Sequence, residues 1–155
     1  MSPSAPGWKP GKPSSLAGYL EALSRPVFST GMSWRVIEAK WDGIRDAFAG
    51  FDPERVAAMT DADVDRLVED PRIIRNRKKI EATIVNAERM LELDREHGGF
   101  GSWLDSLGSF DETVPALRRE FRFLGEMGAY LFLWTVGRPV PSHEEWAKTH
   151  GRVVA

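Results

Sequence analysis

The sequence carries helix start and stop signals along its whole length and almost no alternating apolar and polar stretch of the kind that strands need. Asp52 followed by Pro53 is a typical helix start, because proline is tolerated at the first helical position. Thr60 with Asp63 has the spacing of a capping box, and Ser142 with Glu145 has the same spacing. These start and stop signals predict an all-α protein with about nine short helices.

Apolar residues recur at helical spacing and indicate the faces that pack into a core. In the second predicted helix these residues are Trp34, Ile37, Trp41, Ile44 and Phe48. The stretch 126–136 is apolar on nearly every side, so it predicts a central buried helix. Pro26 is expected to end the first helix, because its ring clashes with the preceding turn.

The chain has 155 residues, of which 42% are hydrophobic, and this is enough for one sizeable core. A flexible Pro-rich arm is predicted over residues 1–15, with Trp8 as an anchor, and a single domain over residues 16–155. The net charge of −2 excludes bulk electrostatics as the basis of nucleic-acid binding, so a DNA contact needs a local basic face. The longest apolar stretch, 127–136, is too short to span a bilayer. Together with the absence of cysteine, this favours a cytoplasmic protein.

Two basic segments are candidates for such a face. The first lies at the expected start of a long helix and comprises Arg72, Arg75, Arg77, Lys78 and Lys79. It is either a solvated helix face or a contact for DNA phosphates. The second is the turn that contains Arg122, Phe123 and Gly125, where a glycine lets the backbone approach a phosphate. This turn fits a helix-hairpin-helix DNA-binding element or an ordinary helical hairpin.

Aromatic and acidic side chains supply the candidates for a pocket and for catalysis. Trp34 and Phe28, on either side of residues 29–31, are the best placed to face a pocket. The catalytic candidates adjoin one another near the C-terminus: Glu144, with Glu145 and His143 as alternates. Acidic residues are also favoured in the first turn of a helix, so a capping role is the competing interpretation. The histidines are scattered and no metal-ligand spacing occurs, so neither a metal nor another cofactor is indicated.

Two blocks of the sequence carry a family resemblance. The first aligns without gaps over residues 31–93 and contains Gly31-Met-Ser-Trp34, Phe48-Ala-Gly-Phe-Asp-Pro53, Val56-Ala-Ala-Met59, Asp63-Val-Asp-Arg-Leu-Val68, Ile73-Ile-Arg-Asn-Arg-Lys-Lys-Ile80 and Asn86-Ala87. The second contains Phe121-Arg-Phe-Leu-Gly125, Tyr130-Leu-Phe132 and Gly137. Together they resemble the bacterial DNA-3-methyladenine glycosylase I family over a little more than half of the chain.

The resemblance implies a two-lobed, all-α glycosylase fold of the helix-hairpin-helix type. It also implies an enzyme that flips an alkylated base out of DNA and cleaves its N-glycosidic bond. Trp34 matches the family's pocket tryptophan, and with Phe28 and Met32 it is expected to form the base pocket. Gly125 and its neighbours match the hairpin that holds a DNA phosphate.

The chain also departs from the family pattern. Pro26 stands where the family has a pocket glutamate, the Pro-rich arm replaces a tyrosine-bearing segment, and no cysteine is present for the family's structural zinc. In the wider superfamily a catalytic aspartate follows a Gly-x-Pro. Gly137-Arg-Pro139 resembles that motif, and Glu144 falls at the equivalent place, where a carboxylate stabilises an oxocarbenium ion.

The expected function is therefore excision of a 3-methyladenine-type base from double-stranded DNA by a monomeric, nucleoid-associated protein. No lysine follows Gly125 in the hairpin, so no lyase step is expected. One alternative is a catalytically inactive DNA-binding module on the same fold. Another is an interaction or small-molecule-binding domain.

Overall fold

The computed structural model describes the backbone of residues 10–150 and the side chains of residues 10–148. Within these residues the chain forms nine α-helices, one 3₁₀ turn and no strand, as the sequence predicts. The helices are α1 (Leu16–Ser29), α2 (Trp34–Ala47), α3 (Pro53–Ala57), α4 (Asp61–Val68), α5 (Arg77–Glu96), α6 (Phe100–Asp105), α7 (Phe110–Glu120), α8 (Glu126–Thr135) and α9 (His143–His150), with the 3₁₀ turn at Ala49–Phe51. Trp8 and most of the predicted arm lie outside the described residues.

Local capping signals start the helices where the sequence predicts them. The side chain of Asp52 caps α3. Thr60 and Asp63 form a complete capping box at α4, in which the Thr60 N–H donates to the Asp63 carboxylate at 2.8 Å. At α9 the Ser142 hydroxyl donates to the Glu145 carboxylate at 2.9 Å, and the Glu145 N–H donates back to that hydroxyl at 3.2 Å.

The prediction that Pro26 ends the first helix is wrong, because α1 continues to Ser29. A proline removes one backbone hydrogen bond from a helix, but here the residues beyond it gain burial. Val27 and Phe28 are both fully buried, and two such apolar side chains together contribute about 3–6 kcal/mol. The Ser29 hydroxyl also donates to the Arg25 carbonyl at 2.6 Å and closes the last turn.

The core is organised around α1 and α5, which contact each other. One group of helices, α2 to α4, packs on these two, and a second group, α6 to α8, reaches them through α5·α6 and α1·α8 contacts. Residues 129–133 of α8 are buried, so the prediction of a central buried helix is confirmed. Among the described residues, no helix combines the length and the apolar character needed to cross a membrane.

Candidate active-site groove

A groove of about 700 Å³ opens where the end of α1 and the start of α2 face the segment between α7 and α8. We refer to it as the α1–α8 groove. Its walls include Pro26, Thr30, Trp34, Phe121, Glu126 and Leu131. A space of this size is typical of a small-molecule site and admits a single nucleobase.

Trp34 supplies the large aromatic surface on one wall of this groove. It is the first residue of α2, and the Ser33 side chain caps that helix by accepting from the Val36 N–H at 3.3 Å. The indole is partly buried because it packs with Met127 against Leu131 of α8. Trp34 therefore lies beside the cavity.

Phe28 and Met32, the other residues predicted for the base pocket, do not line the α1–α8 groove. Phe28 is fully buried in the core, where its ring lies 5.6 Å from that of Phe48 and 6.5 Å from that of Trp41. Met32 is partly buried against the same core. The extension of α1 beyond Pro26 is what carries Phe28 inward.

Lys79 does not belong to the basic surface that the sequence predicts, because it is only 4% exposed. Its ammonium group donates to the carbonyl of Phe28 at 2.9 Å and to that of Thr30 at 2.6 Å. Burial lowers the pKa of the Lys79 ammonium. Lys79 therefore joins α5 to the end of α1 and to the start of the loop that leads to Trp34.

The other members of the basic cluster lie on the surface. Arg72 and Arg75 precede α5, and only Arg77 and Lys78 stand in its exposed first turn. Arg72 and Arg77 form ion pairs with aspartates, at 2.7 Å and 2.5 Å. Within the part of the chain that the structure describes, Arg75 and Lys78 form no ion pair. They are the members of the cluster best able to reach an external anion.

The segment 121–125, which we refer to as the hairpin, connects α7 to α8 and is held in shape by Asn86 of α5. The Arg122 N–H donates to the Asn86 side-chain oxygen at 2.8 Å, and the Asn86 amide donates to the Arg122 carbonyl at 3.2 Å. Asn86 is 2% exposed. Because these two bonds engage both the backbone N–H and the backbone carbonyl of Arg122, this single buried side chain fixes the path of the hairpin.

The tip of the hairpin presents its backbone and one aromatic ring to solvent. Phe123 adopts a φ of 60°, a conformation that costs a non-glycine residue about 1–2 kcal/mol, and it is 41% exposed. Gly125 caps α8 with an ordinary φ of −91°, and an added Cβ there would meet no atom within 4 Å. Neither the φ nor internal packing requires glycine at this position. The open space is instead suited to an approaching external group.

The catalytic candidates near the C-terminus are separated from the groove. Glu144 is exposed in the first turn of α9, and the Glu145 carboxylate caps that helix. The His143 ring packs near the Tyr130 ring, with 6.4 Å between their centroids. None of the three lines the α1–α8 groove. Among the described residues, no group of three His, Cys, Asp or Glu side chains is arranged to hold a metal ion.

A family model described as methyladenine glycosylase matches residues 11–120. The chain belongs to the methyladenine glycosylase family. It is 33% identical to the DNA-3-methyladenine glycosylase 1 of Escherichia coli, covering 69% of this chain and 68% of that protein. It is 30% identical to the DNA-3-methyladenine glycosylase of Haemophilus influenzae, covering 69% of each.

Solved structures of the methyladenine glycosylase family share the fold of this member. A crystal structure of 3-methyladenine DNA glycosylase I matches with a TM-score of 0.72 and 28% identity, covering 84% of each chain. The Staphylococcus aureus 3-methyladenine DNA glycosylase I matches with a TM-score of 0.70 and 29% identity, covering 86% of this chain and 81% of that one. The family and fold predictions are therefore confirmed.

The sequence does not predict four side chains that line or support the groove. Arg118 and Glu126 line it. Lys79 and Asn86 support it from α5 through their bonds to Thr30 and Arg122. Residues 79, 83 and 86 share one face of α5, and the structure buries all three polar side chains. That helical spacing beside buried Ile80 and Ala87 was the available signal, since a polar residue on an apolar face needs an internal partner.

Proposed function

We propose that this protein is a DNA base-excision glycosylase that hydrolyses the N-glycosidic bond of an alkylated purine of the 3-methyladenine type. The observation that carries the proposal is the α1–α8 groove, in which Trp34 and the hairpin occupy facing elements of a methyladenine glycosylase family member. A flipped nucleotide places its base against Trp34 while the hairpin holds the neighbouring backbone.

The hairpin and the surface residues of the basic cluster form the proposed DNA contact. Gly125 lets a phosphate approach the N-terminus of α8, whose first N–H groups have no side-chain cap. Arg122 is exposed on the same hairpin, and Arg75 with Lys78 supplies positive charge near the start of α5. These contacts are to the backbone and read no base, so they supply affinity and orientation.

Cleavage of the N-glycosidic bond needs little acid catalysis from the protein, because alkylation at a ring nitrogen already gives the purine a positive charge. Such a base is a good leaving group, so protonation by a strong acid is not required. Stacking on Trp34 orients the base, and the attraction between a cation and an indole face adds about 0.5–2 kcal/mol. Water then adds to the sugar as the base leaves.

The experiment that tests the proposal measures the bases released from methylated duplex DNA by the purified protein. The wild type is expected to release 3-methyladenine, and Trp34→Ala to release it at least about tenfold more slowly, because the stacking surface is lost. The matched control is Trp134→Ala, which removes another tryptophan that packs on Leu131 but does not line the groove. A wild type that releases no alkylated base contradicts the proposal.

The sequence predicts Glu144 as the catalytic carboxylate, with Glu145 and His143 as alternates. Its exposed position on α9, away from the groove lining, favours a role in starting that helix instead. Glu144→Gln is therefore the decisive variant in the same assay. Base release at the wild-type rate assigns Glu144 to the helix, and a loss of activity with unchanged stability assigns it to the reaction.

A catalytically inactive DNA-binding module is the second candidate function. It is favoured by the apolar Pro26 in the groove wall and by the position of Glu144 outside it. Salt-dependent binding of duplex DNA without base release identifies this function. In either case we propose that the protein acts as a monomer on double-stranded DNA in the cytoplasm, associated with the nucleoid.

A further inference from the structure

Two charged side chains, one on each helix that flanks the hairpin, form an ion pair in the α1–α8 groove. Among the described side chains that line the groove, Glu126 of α8 carries the negative charge and Arg118 of α7 the positive charge. Arg118 Nη1 lies 3.6 Å from Glu126 Oε1. The two side chains are 47% and 39% exposed, so both are accessible from the groove.

The position of Glu126 is unfavourable for DNA binding taken by itself. It follows Gly125 directly, in the first turn of α8, where the hairpin offers its N–H groups to a phosphate. A carboxylate at a helix N-terminus stabilises the helix, but it also repels a phosphate that approaches the same N–H groups. Arg118 offsets part of this repulsion. DNA phosphate is itself negative and cannot serve as a counter-charge for this carboxylate, whereas a positively charged ligand in the groove can.

Glu126 and Trp34 line the same cavity, and together they suit a flat, positively charged ligand. The indole offers an aromatic face and the carboxylate offers a counter-charge and two acceptor oxygens. A neutral purine gains binding free energy from the indole alone, whereas a purine that carries a positive charge gains it from both the indole and the carboxylate. The pair therefore discriminates by charge, a property that the apolar Pro26 and Leu131 in the walls do not have.

We propose that Glu126 is a specificity-determining residue that recognises the positive charge of an N-alkylated purine in the α1–α8 groove. Arg118 is its counter-ion when no base is bound, and it exchanges the carboxylate for a DNA phosphate when the charged base enters. This assignment rests on the proposed glycosylase function.

The test compares Glu126→Gln with the wild type in two assays: release of 3-methyladenine from methylated duplex DNA, and the Kd for the same duplex without alkylation. Loss of the charge is expected to lower kcat/KM for base release about tenfold, the size expected for one charge-assisted contact. The Kd for undamaged DNA is expected to fall about twofold or more, because the repulsion of phosphate is removed. Glu126→Asp, which keeps the charge, is expected to retain part of the base release.

Glu54→Gln is the matched control, because Glu54 is an exposed first-turn glutamate of α3 that does not line the groove. It is expected to change neither assay. Base release by Glu126→Gln at the wild-type rate overturns the assignment while the glycosylase function stands. A fall in base release that is matched by the control also overturns it. A wild type that releases no base overturns the glycosylase function, and the assignment with it.

Discussion

Replacing Lys79 by Met removes the ammonium group that joins α5 to the end of α1. The side chain is 4% exposed and donates to two carbonyls at 2.9 Å and 2.6 Å. A hydrogen bond from a charged donor contributes about 1.5–3 kcal/mol, and burial of the ammonium, which lowers its pKa, offsets part of that gain. Because the carbonyls of Phe28 and Thr30 lose a buried donor, we expect the free energy of unfolding to fall by about 2–3 kcal/mol.

The assay is urea unfolding followed by tryptophan fluorescence, together with a thermal melt. In a chain of this size the expected loss lowers Tm by about 4–12 °C. The matched control is Lys78→Met, since Lys78 is the exposed neighbour in the same turn of α5. That control should leave the free energy of unfolding within about 0.5 kcal/mol of the wild type and weaken DNA binding instead.

The two lysine variants therefore separate an internal anchor from a surface contact. The groove should respond as well, because Thr30 lines it and the loop after Thr30 leads to Trp34. We expect Lys79→Met to raise KM for base release more than it lowers kcat, when both are measured well below Tm. If Lys79→Met unfolds at the same urea concentration as the wild type, Lys79 does not anchor α5 to the end of α1. The same conclusion follows if Lys79→Met loses DNA affinity as Lys78→Met does but keeps its stability.

Three further predictions concern the hairpin, a capping box and the contact between α1 and α8. Asn86→Leu leaves the backbone N–H and carbonyl of Arg122 without their partner, so it should lower the free energy of unfolding by about 1–3 kcal/mol and weaken DNA binding. A Kd for DNA equal to that of the wild type contradicts the role of Asn86 in holding the hairpin. At the start of α7, Ser109 and Glu112 form a capping box in which the Ser109 N–H and hydroxyl each donate to the Glu112 carboxylate at 3.0 Å. These hydrogen bonds hold the pKa of Glu112 below its ordinary value of 4.5. The stability advantage of the wild type over Glu112→Gln should therefore be present above pH 4.5 and disappear as the pH falls through the lowered pKa. Melts between pH 7 and pH 3 measure it, and a constant difference in Tm speaks against the assignment. Gly128→Val should destabilise the protein by about 1–3 kcal/mol, because the added Cβ would lie only 3.2 Å from the Pro26 ring of α1. A urea midpoint equal to that of the wild type would show that α1 and α8 can move apart without cost.

Helix starts could be predicted from the sequence because capping depends on residues only three positions apart. The boxes at Thr60 and Ser142 form in the structure with the partners that the spacing indicates. The end of α1 could not be predicted in this way. Pro26 is a stop signal for an isolated helix, but the burial of Val27 and Phe28 is a property of the packed molecule.

The same division applies to the candidate site. Trp34 could be placed beside a pocket because it starts a helix next to a glycine-containing loop and matches a family motif. The exclusion of Phe28 from that pocket depends on its ring contacts with Phe48 and Trp41, which follow from the fold. Glu126 could not be selected over Glu144 from the sequence, because both lie in the first turn of a helix and only the position of the cavity distinguishes them.

By itself the sequence determined the all-α class, most helix starts, the buried character of α8 and the methyladenine glycosylase family. These features depend on residue types at short spacing, which a linear pattern records. Only the tertiary structure decided which polar and charged side chains lie on the surface, in the groove or in the interior. Lys79 meets the Phe28 carbonyl across 51 positions of the chain, and Asn86 meets Arg122 across 36. Whether a polar group is buried and paired depends on such distant partners, so its role follows from the fold rather than from its neighbours in sequence.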